Sequence, residues 1–308
     1  HYYTTPEVPC VSVVEALSST LLKLLPRAYF LKVRSSYLRL KTKASPLLRL
    51  VHGTFTTDEL IAEIDRHLDD DWHILMVHSS VNNLQPMYKG SAMELLKALI
   101  DYCGPHRTLV MPAFNFGEHG EGARETLTKN PRFDLRRSPS QMGLLTELFR
   151  RSRGVLQSRH PVYRVAALGP HAEELTRGHE HAPSGMGKAT PFDYMAQHRA
   201  QIVGIGKTFQ VMTQTHHVES LLDETWPAPR KVLPNVPVTI VDKQCEIPME
   251  IGGAQQQWTF NIWKLREVMS RDRLKEWRFH NCPLFAARAD EVTDTLVAAA
   301  ARGFTLYD

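Results

Sequence analysis

With 308 residues, 43% of them hydrophobic and 23% charged, the chain can bury a large core as one big domain or two. No apolar run nears the ~20 residues of a membrane helix and no signal peptide is visible, which speaks against a membrane-spanning or secreted chain. The net charge of +4 points to anionic partners such as a phosphorylated cosubstrate. Cys10, Cys103, Cys245 and Cys282 lie far apart without a CxxC, so zinc and redox motifs are unsupported and a reducing cytosol is the expected compartment.

Residues 1–10 read as a loose tail, and the opening on His1 rather than Met is expected of a chain whose first segment has been trimmed. Between Ala16 and Thr57 there is no acidic residue, while Lys23, Arg27, Lys32, Arg34, Arg39, Lys41, Lys43 and Arg49 supply eight bases interleaved with leucines and aromatics. This predicts one or two basic amphipathic helices broken near Pro26, so that residues 1–55 form a basic helical extension. Such an arm could lie on an anionic membrane surface, placing the chain at the membrane periphery, but a charge run is usually a solvated face, which favours an extension packed on its own domain or on a partner subunit with its bases toward solvent. No nucleic-acid motif is present, and no nucleic-acid partner is expected.

From Thr56 the pattern is cleaner. Thr56 and Glu59 form a capping box for a helix to about Leu68. Ile74–Val77 reads as a short buried strand ending at His78, Ser79 and Ser80. A helix over Ala92–Tyr102 follows, then a strand over Thr108–Met111 closed by Pro112. Strand–helix–strand order predicts a parallel pair, and ligands of such sheets sit beyond the carboxyl ends of the strands. Residues 115–137 are expected as a long polar loop. Ser138, Pro139 and Gln141 predict a capped helix to about Arg151, and Val162–Leu168 another strand. A short helix over Phe192–Gln197 precedes a strand over Ile202–Ile205. Past Arg230, proline-punctuated short strands predict an antiparallel sheet. A helix near Lys264–Leu274, a strand over Phe285–Arg288 and a last helix capped by Asp290 and ending at Gly303 complete the chain.

The stretch from Gly204 to Arg230 admits two readings, a general base with its carboxylate or an ordinary helix-surface acid beside a hydrogen-bonded histidine, and the triplet alone favours the second. A helix-compatible run follows the glycine turn, and within it Thr213, His216 and Glu219 recur every third residue, as neighbours on one helical face would. A carboxylate one turn from an imidazole fixes its tautomer and raises its basicity, which a general base needs. His217 faces about 100° away and is expected to be structural or at a substrate edge. The 15 histidines are otherwise scattered and HExxH is absent, so no metal is expected.

Six segments in order resemble the aminoglycoside 3-N-acetyltransferase family: VHSSV (77–81), TLVMPAF (108–114), FDLRRSPSQMGLLTELFRR (133–151), GVLQSRHPVYRVAALG (154–169), IVGIG (202–206) and T-x-x-H-x-x-E (213–219). The resemblance covers residues 56–308, which it identifies as an acetyltransferase domain. It implies an α/β fold with a mostly parallel central sheet flanked by helices, a smaller antiparallel C-terminal sheet, and an acetyl-CoA cleft. It implies His216 as general base, Glu219 as its orienting carboxylate, and Thr213 near the thioester as partner of the developing oxyanion. His78, Ser79, Ser80, Met111, Pro112, Ser158 and His160 would line the coenzyme channel. No nucleophile elbow or catalytic cysteine is visible, which favours direct attack by a small-molecule amine on acetyl-CoA.

Where aminoglycoside enzymes carry an acid before the threonine, this chain has the acid-free run KTFQVM (207–212), and PAPRK (227–231) follows the motif. These features look more like relatives in surface-polysaccharide or natural-product pathways, with an amino sugar or related metabolite as acceptor. Aminoglycoside 3-N-acetylation and a non-catalytic scaffold that keeps the coenzyme-binding fold are the alternatives. A homo-oligomer is expected.

Overall fold

A side chain offered to the first free amides favours a helix start, and the helices Thr57–Asp65 and Ala92–Cys103 of the folded unit Thr54–Asp308 both have one. In the computed structural model, which describes residues 45–118 and 121–308, residues 45–52 are helical. Most of the expected basic arm lies outside the described residues. Helix α1 (Thr57–Asp65) starts at the capping box: Thr56 Oγ1 accepts from Glu59 N at 3.3 Å and Glu59 Oε2 from Thr56 N at 2.7 Å. It stops short of Leu68, which stays buried in a following turn.

Strand β1 (Ile74–Ser79) leads through the short α2 (Val81–Leu84) to α3 (Ala92–Cys103), opened by a second capping box, Ser91 with Glu94. Strand β2 (Thr108–Pro112) then pairs parallel with β1, as the strand–helix–strand order predicts. The expected polar loop over 115–137 instead contains α4 (Ala123–Lys129) and β3 (Arg132–Asp134). The helix expected from Ser138 begins only at Leu144, as α5 (Leu144–Arg150). Gly143, at φ +107°, breaks the approach, and Gln141 braces the preceding loop through Phe116 N and Gly117 O instead of capping a helix.

Strands β4 (Leu156–Gln157) and β5 (Val165–Leu168), helices α6 (Ala172–Thr176) and α7 (Pro191–Gln197), and β6 (Gln201–Ile205) follow. After α8 (His217–Leu222) come β7 (Arg230–Val232), β8 (Val236–Asp242), β9 (Cys245–Ile251) and β10 (Ala254–Gln256). The helix expected at Lys264–Leu274 is only α9 (Leu265–Val268), because residues 270–274 turn on the Ser270 carbonyl and draw Leu274 into the core. Strands β11 (Lys275–Phe279) and β12 (Cys282–Arg288) and helix α10 (Ala289–Ala300) end the fold.

The large sheet has seven strands in the order β11-β12-β6-β1-β2-β5-β4. It is α/β as expected, but not mostly parallel. Only β6–β1 and β1–β2 pair parallel; β11–β12, β12–β6, β2–β5 and β5–β4 are antiparallel. The connections explain this. His280 and Asn281, at φ +46° and +62°, make a two-residue turn between β11 and β12, and so short a link can only join antiparallel strands. Continuous apolar runs signal burial on both faces, which antiparallel strands in a covered sheet share. The expected antiparallel hairpin is β8–β9, and β3 joins its edge in parallel, while β10 and β7 form a separate two-stranded ribbon.

Ile74, Met76, Val110, Ile202 and Phe285 of the large sheet pack with Phe192, Leu265, Val292 and Leu296 of the helices in one apolar core. Gly204 in β6 lies under the buried Phe285 ring, and a Cβ there would come within 2.0 Å of it. Gly204→Ala is therefore expected to destabilise the fold by about 1–3 kcal/mol, the usual cost of overpacking, read as a lower urea midpoint.

Candidate active site

Because β1 and β6 run parallel, their carboxyl ends open on one edge, with His78 opposite Gly204 and Ser79 opposite Ile205. Ser80 N donates to Ile205 O at 2.8 Å, and Asn83 Nδ2 to Gly206 O at 2.8 Å. The chain turns sharply at Gly206, at φ +67°, where any Cβ would lie 2.6 Å from the Ser80 carbonyl. Lys207 follows, close enough to bear electrostatically on His78.

The run after this turn is not one α-helix. Residues Phe209–Val211 and Thr213–His216 are 3₁₀ turns, and only His217–Leu222 is α-helical. In a 3₁₀ turn residues three apart eclipse each other, so the three-residue spacing still aligns Thr213 with His216. His216 Nδ1 lies 2.9 Å from Glu219 Oε1, with the imidazole 40% and the carboxylate 14% exposed. Nδ1–H donates to the carboxylate, which leaves the Nε2 lone pair for a substrate proton. Thr213 is half-buried, and no hydrogen bond joins it to His216 or Glu219 among the described residues.

Groups far along the chain complete this pair. Tyr307 OH donates to Glu219 Oε1 at 2.7 Å, and Gln256 Nε2 to Oε2 at 3.0 Å. Phe260 packs 4.6 Å from the His216 ring, and Tyr307 stands 5.3 Å from Phe260. Burial and the adjacent Glu219 raise the Tyr307 pKa, so it remains a donor. Arg230 NH1 reaches Glu219 O at 3.4 Å while its NH2 pairs with Asp223 at 2.6 Å. Sequence reasoning missed Tyr307, Gln256 and Phe260. Single aromatics and amides in irregular segments carry no spacing signal.

His217 is structural: fully buried, it holds the Met186 carbonyl through Nδ1 at 2.5 Å, and burial lowers its pKa. Of the residues expected along a coenzyme channel, Ser79 and Ser80 are partly open at the sheet edge. His78, Met111, Pro112, Ser158 and His160 are buried. Ser158 Oγ accepts from Val165 N at 2.9 Å and bonds His179 Nδ1 at 2.8 Å, while His160 Nδ1 accepts from Tyr163 N at 2.9 Å. Both are occupied in holding their own loop. Among the described residues no group of three or more His, Cys, Asp or Glu side chains is placed to hold a metal ion, and no helix is long and apolar enough to cross a membrane.

Burial sets the pH response of the fold. It pulls His78 down to about 3, with Lys207 acting in the same direction, and His179 down to about 4. An unfolded histidine titrates near ~6.5, so between these values the unfolded chain binds more protons and stability rises with pH. The contribution is complete above about pH 6.5 and is lost as pH falls toward about 4, then 3. The unfolding free energy from urea titration is expected to drop between pH 7.5 and pH 5, and to drop less in His78→Leu, by about 1.4 kcal/mol for each pH unit crossed below about 6.5.

The described residues match known proteins along most of the folded unit. A family model described as aminoglycoside 3-N-acetyltransferase matches residues 76–300. Aminoglycoside N(3)-acetyltransferase IX of Micromonospora chalcea is 30% identical over 148 residues, 44% of this chain and 51% of that protein. Aminoglycoside N(3)-acetyltransferase III of Acinetobacter baumannii is 29% identical over 164 residues, 49% of this chain and 55% of that protein. The chain thus spans about half the length of the curated relatives it matches. A solved structure described as AAC-IIIb binary with CoASH superposes with a TM-score of 0.64 at 21% identity, covering 82% of this chain and 98% of the other, which shows the shared fold. With the family model spanning both the strand edge and the His216–Glu219 pair, the chain belongs to the aminoglycoside 3-N-acetyltransferase family.

Proposed function

We propose that this chain transfers the acetyl group of acetyl-CoA to a primary amine of an aminoglycoside-class amino sugar, by direct attack within a ternary complex. The observation that carries the proposal is the His216 Nδ1–Glu219 Oε1 contact at 2.9 Å on a partly open imidazole. Its support is family membership, together with relatives named for this reaction and a fold neighbour solved with CoASH.

In this reading His216 Nε2 removes a proton from the acceptor amine as its nitrogen attacks the thioester carbonyl carbon. The C–N bond forms, the C–S bond breaks, and the proton passes from the imidazolium to the leaving thiolate. Glu219 holds the tautomer and stabilises the transient positive charge. Thr213 is the proposed hydroxyl partner of the oxyanion. Ser79, Ser80 and Lys207, at the open carboxyl edge, are the groups proposed to meet the coenzyme, whose phosphates suit a cation there. Met111, Pro112, Ser158 and His160 are proposed to support those walls from behind.

A second reading, a smaller amino sugar or related metabolite as acceptor, is favoured by one observation. The run 207–212 has no acid, and Asp223 is paired with Arg230, so neither offers free negative charge to a polycation. Thiol release should be followed with acetyl-CoA against a panel of aminoglycosides and amino-sugar nucleotides. Turnover of aminoglycosides supports the first reading and turnover of the nucleotides alone the second. No thiol release with any amine would sink both, and failure to bind coenzyme A in calorimetry would favour a scaffold.

A further inference from the structure

We infer that Tyr307 and Gln256 are positioning residues that clamp the Glu219 carboxylate for His216, so that the active site is finished by two segments remote in sequence from the T-x-x-H-x-x-E run. The inference rests on the proposed role of His216.

Three donors meet one carboxylate. His216 Nδ1–H and Tyr307 OH share Oε1, at 2.9 and 2.7 Å, and Gln256 Nε2 takes Oε2 at 3.0 Å. A glutamate side chain on its own samples several rotamers, and only a narrow set aims an oxygen at Nδ1. Charge-assisted bonds from both sides remove that freedom before substrate arrives.

The donors are themselves fixed. Tyr307 pairs with Phe260 as an antiparallel bridge, flanked by Asn261 N to Leu306 O at 2.7 Å and Asp308 N to Thr259 O at 3.0 Å. Lys264 Nζ holds the Tyr307 carbonyl at 2.7 Å. The Tyr307 ring lies between Phe260 and Trp226, at 5.3 and 6.2 Å. Gln256 sits on β10 opposite Arg230 of β7, which also reaches the backbone of Glu219. The strap carrying Tyr307 and the two-stranded ribbon carrying Gln256 therefore converge on the one carboxylate that meets His216.

Sharing Oε1 has a second consequence. The Tyr307 hydroxyl draws negative charge away from the His216–Glu219 bond, so it tempers how strongly the carboxylate favours the imidazolium. Removing the hydroxyl loosens the clamp and at the same time frees Oε1 to favour protonated His216.

The test is Tyr307→Phe, which keeps the ring against Phe260 and Trp226, beside Gln256→Ala. Each is expected to lower kcat about tenfold, the worth of one charge-assisted hydrogen bond, with the KM for acetyl-CoA within about twofold. In Tyr307→Phe the acid limb of the kcat/KM profile, and the His216 titration followed by imidazole NMR, should both move to higher pH. An unchanged kcat together with a superimposable His216 titration in Tyr307→Phe would overturn the inference, as would a KM increase with kcat intact in both variants. If the wild-type chain turns over no amine but the His216 titration still shifts in Tyr307→Phe, the clamp stands and the proposed reaction falls.

Discussion

His216→Ala is expected to lower kcat by about 10²–10⁴-fold, the range that positioned general bases contribute, while the Kd for coenzyme A stays within about twofold of wild type. The asymmetry follows from geometry. The imidazole meets Glu219 on one side and solvent on the other, beyond the end of β6, so its loss removes proton transfer and leaves the strand edge intact. His217→Ala makes the contrast. That ring is fully buried on the Met186 carbonyl, so its removal should lower the unfolding midpoint and spare kcat per folded molecule. A steady-state comparison of the two variants, with calorimetric titration of coenzyme A, reads the difference directly. Normal turnover by His216→Ala would remove the imidazole from the mechanism.

Arg164→Met is expected to cost about 3–5 kcal/mol of stability and to leave little folded protein at 37 °C. Arg164 is completely buried in the loop before β5 and donates to three backbone carbonyls: Ala113 at 2.8 Å, Leu135 at 2.8 Å and Ser138 at 2.6 Å. Its guanidinium also lies 5.2 Å from the Phe133 ring. Ala113 precedes the 115–137 segment, Leu135 lies near its end and Ser138 follows it, so one side chain ties both ends of that segment together beside the sheet. Methionine fills the volume but supplies no donor, which strands the buried acceptors. Urea unfolding of Arg164→Met and Arg164→Lys should show severe loss in both, since a single ammonium cannot reproduce the planar fork of donors. A midpoint near wild type in either would show that water satisfies the carbonyls.

The same residue shows why part of the fold was not legible in the sequence. Arg164 falls inside the expected strand Val162–Leu168 as a lone charge, and nothing local says that its partners lie at Ala113, Leu135 and Ser138. Conversely, the Thr56–Glu59 box, the β1–α3–β2 order and the alignment of His216 with Glu219 are local consequences of capping and helical spacing, and they appear as read. Local reasoning failed where a side chain had a distant alternative. Gln141 reads as a helix cap but braces Phe116 and Gly117. Ser158 and His160, which the family resemblance implies near the coenzyme, hold their own turn and, through Ser158, His179.

By itself the sequence determined an α/β fold, the positions of most strands and helices, the family, and the imidazole–carboxylate pair. All of these rest on short-range chemistry or on ordered motifs. Tertiary structure alone decided strand direction outside the central parallel pairs, because burial on both faces looks the same in either direction. It also decided which groups finish the site. Tyr307 and Gln256 reach Glu219 across separations of 88 and 37 residues, and no periodicity in a chain encodes a contact made only after the sheet has folded.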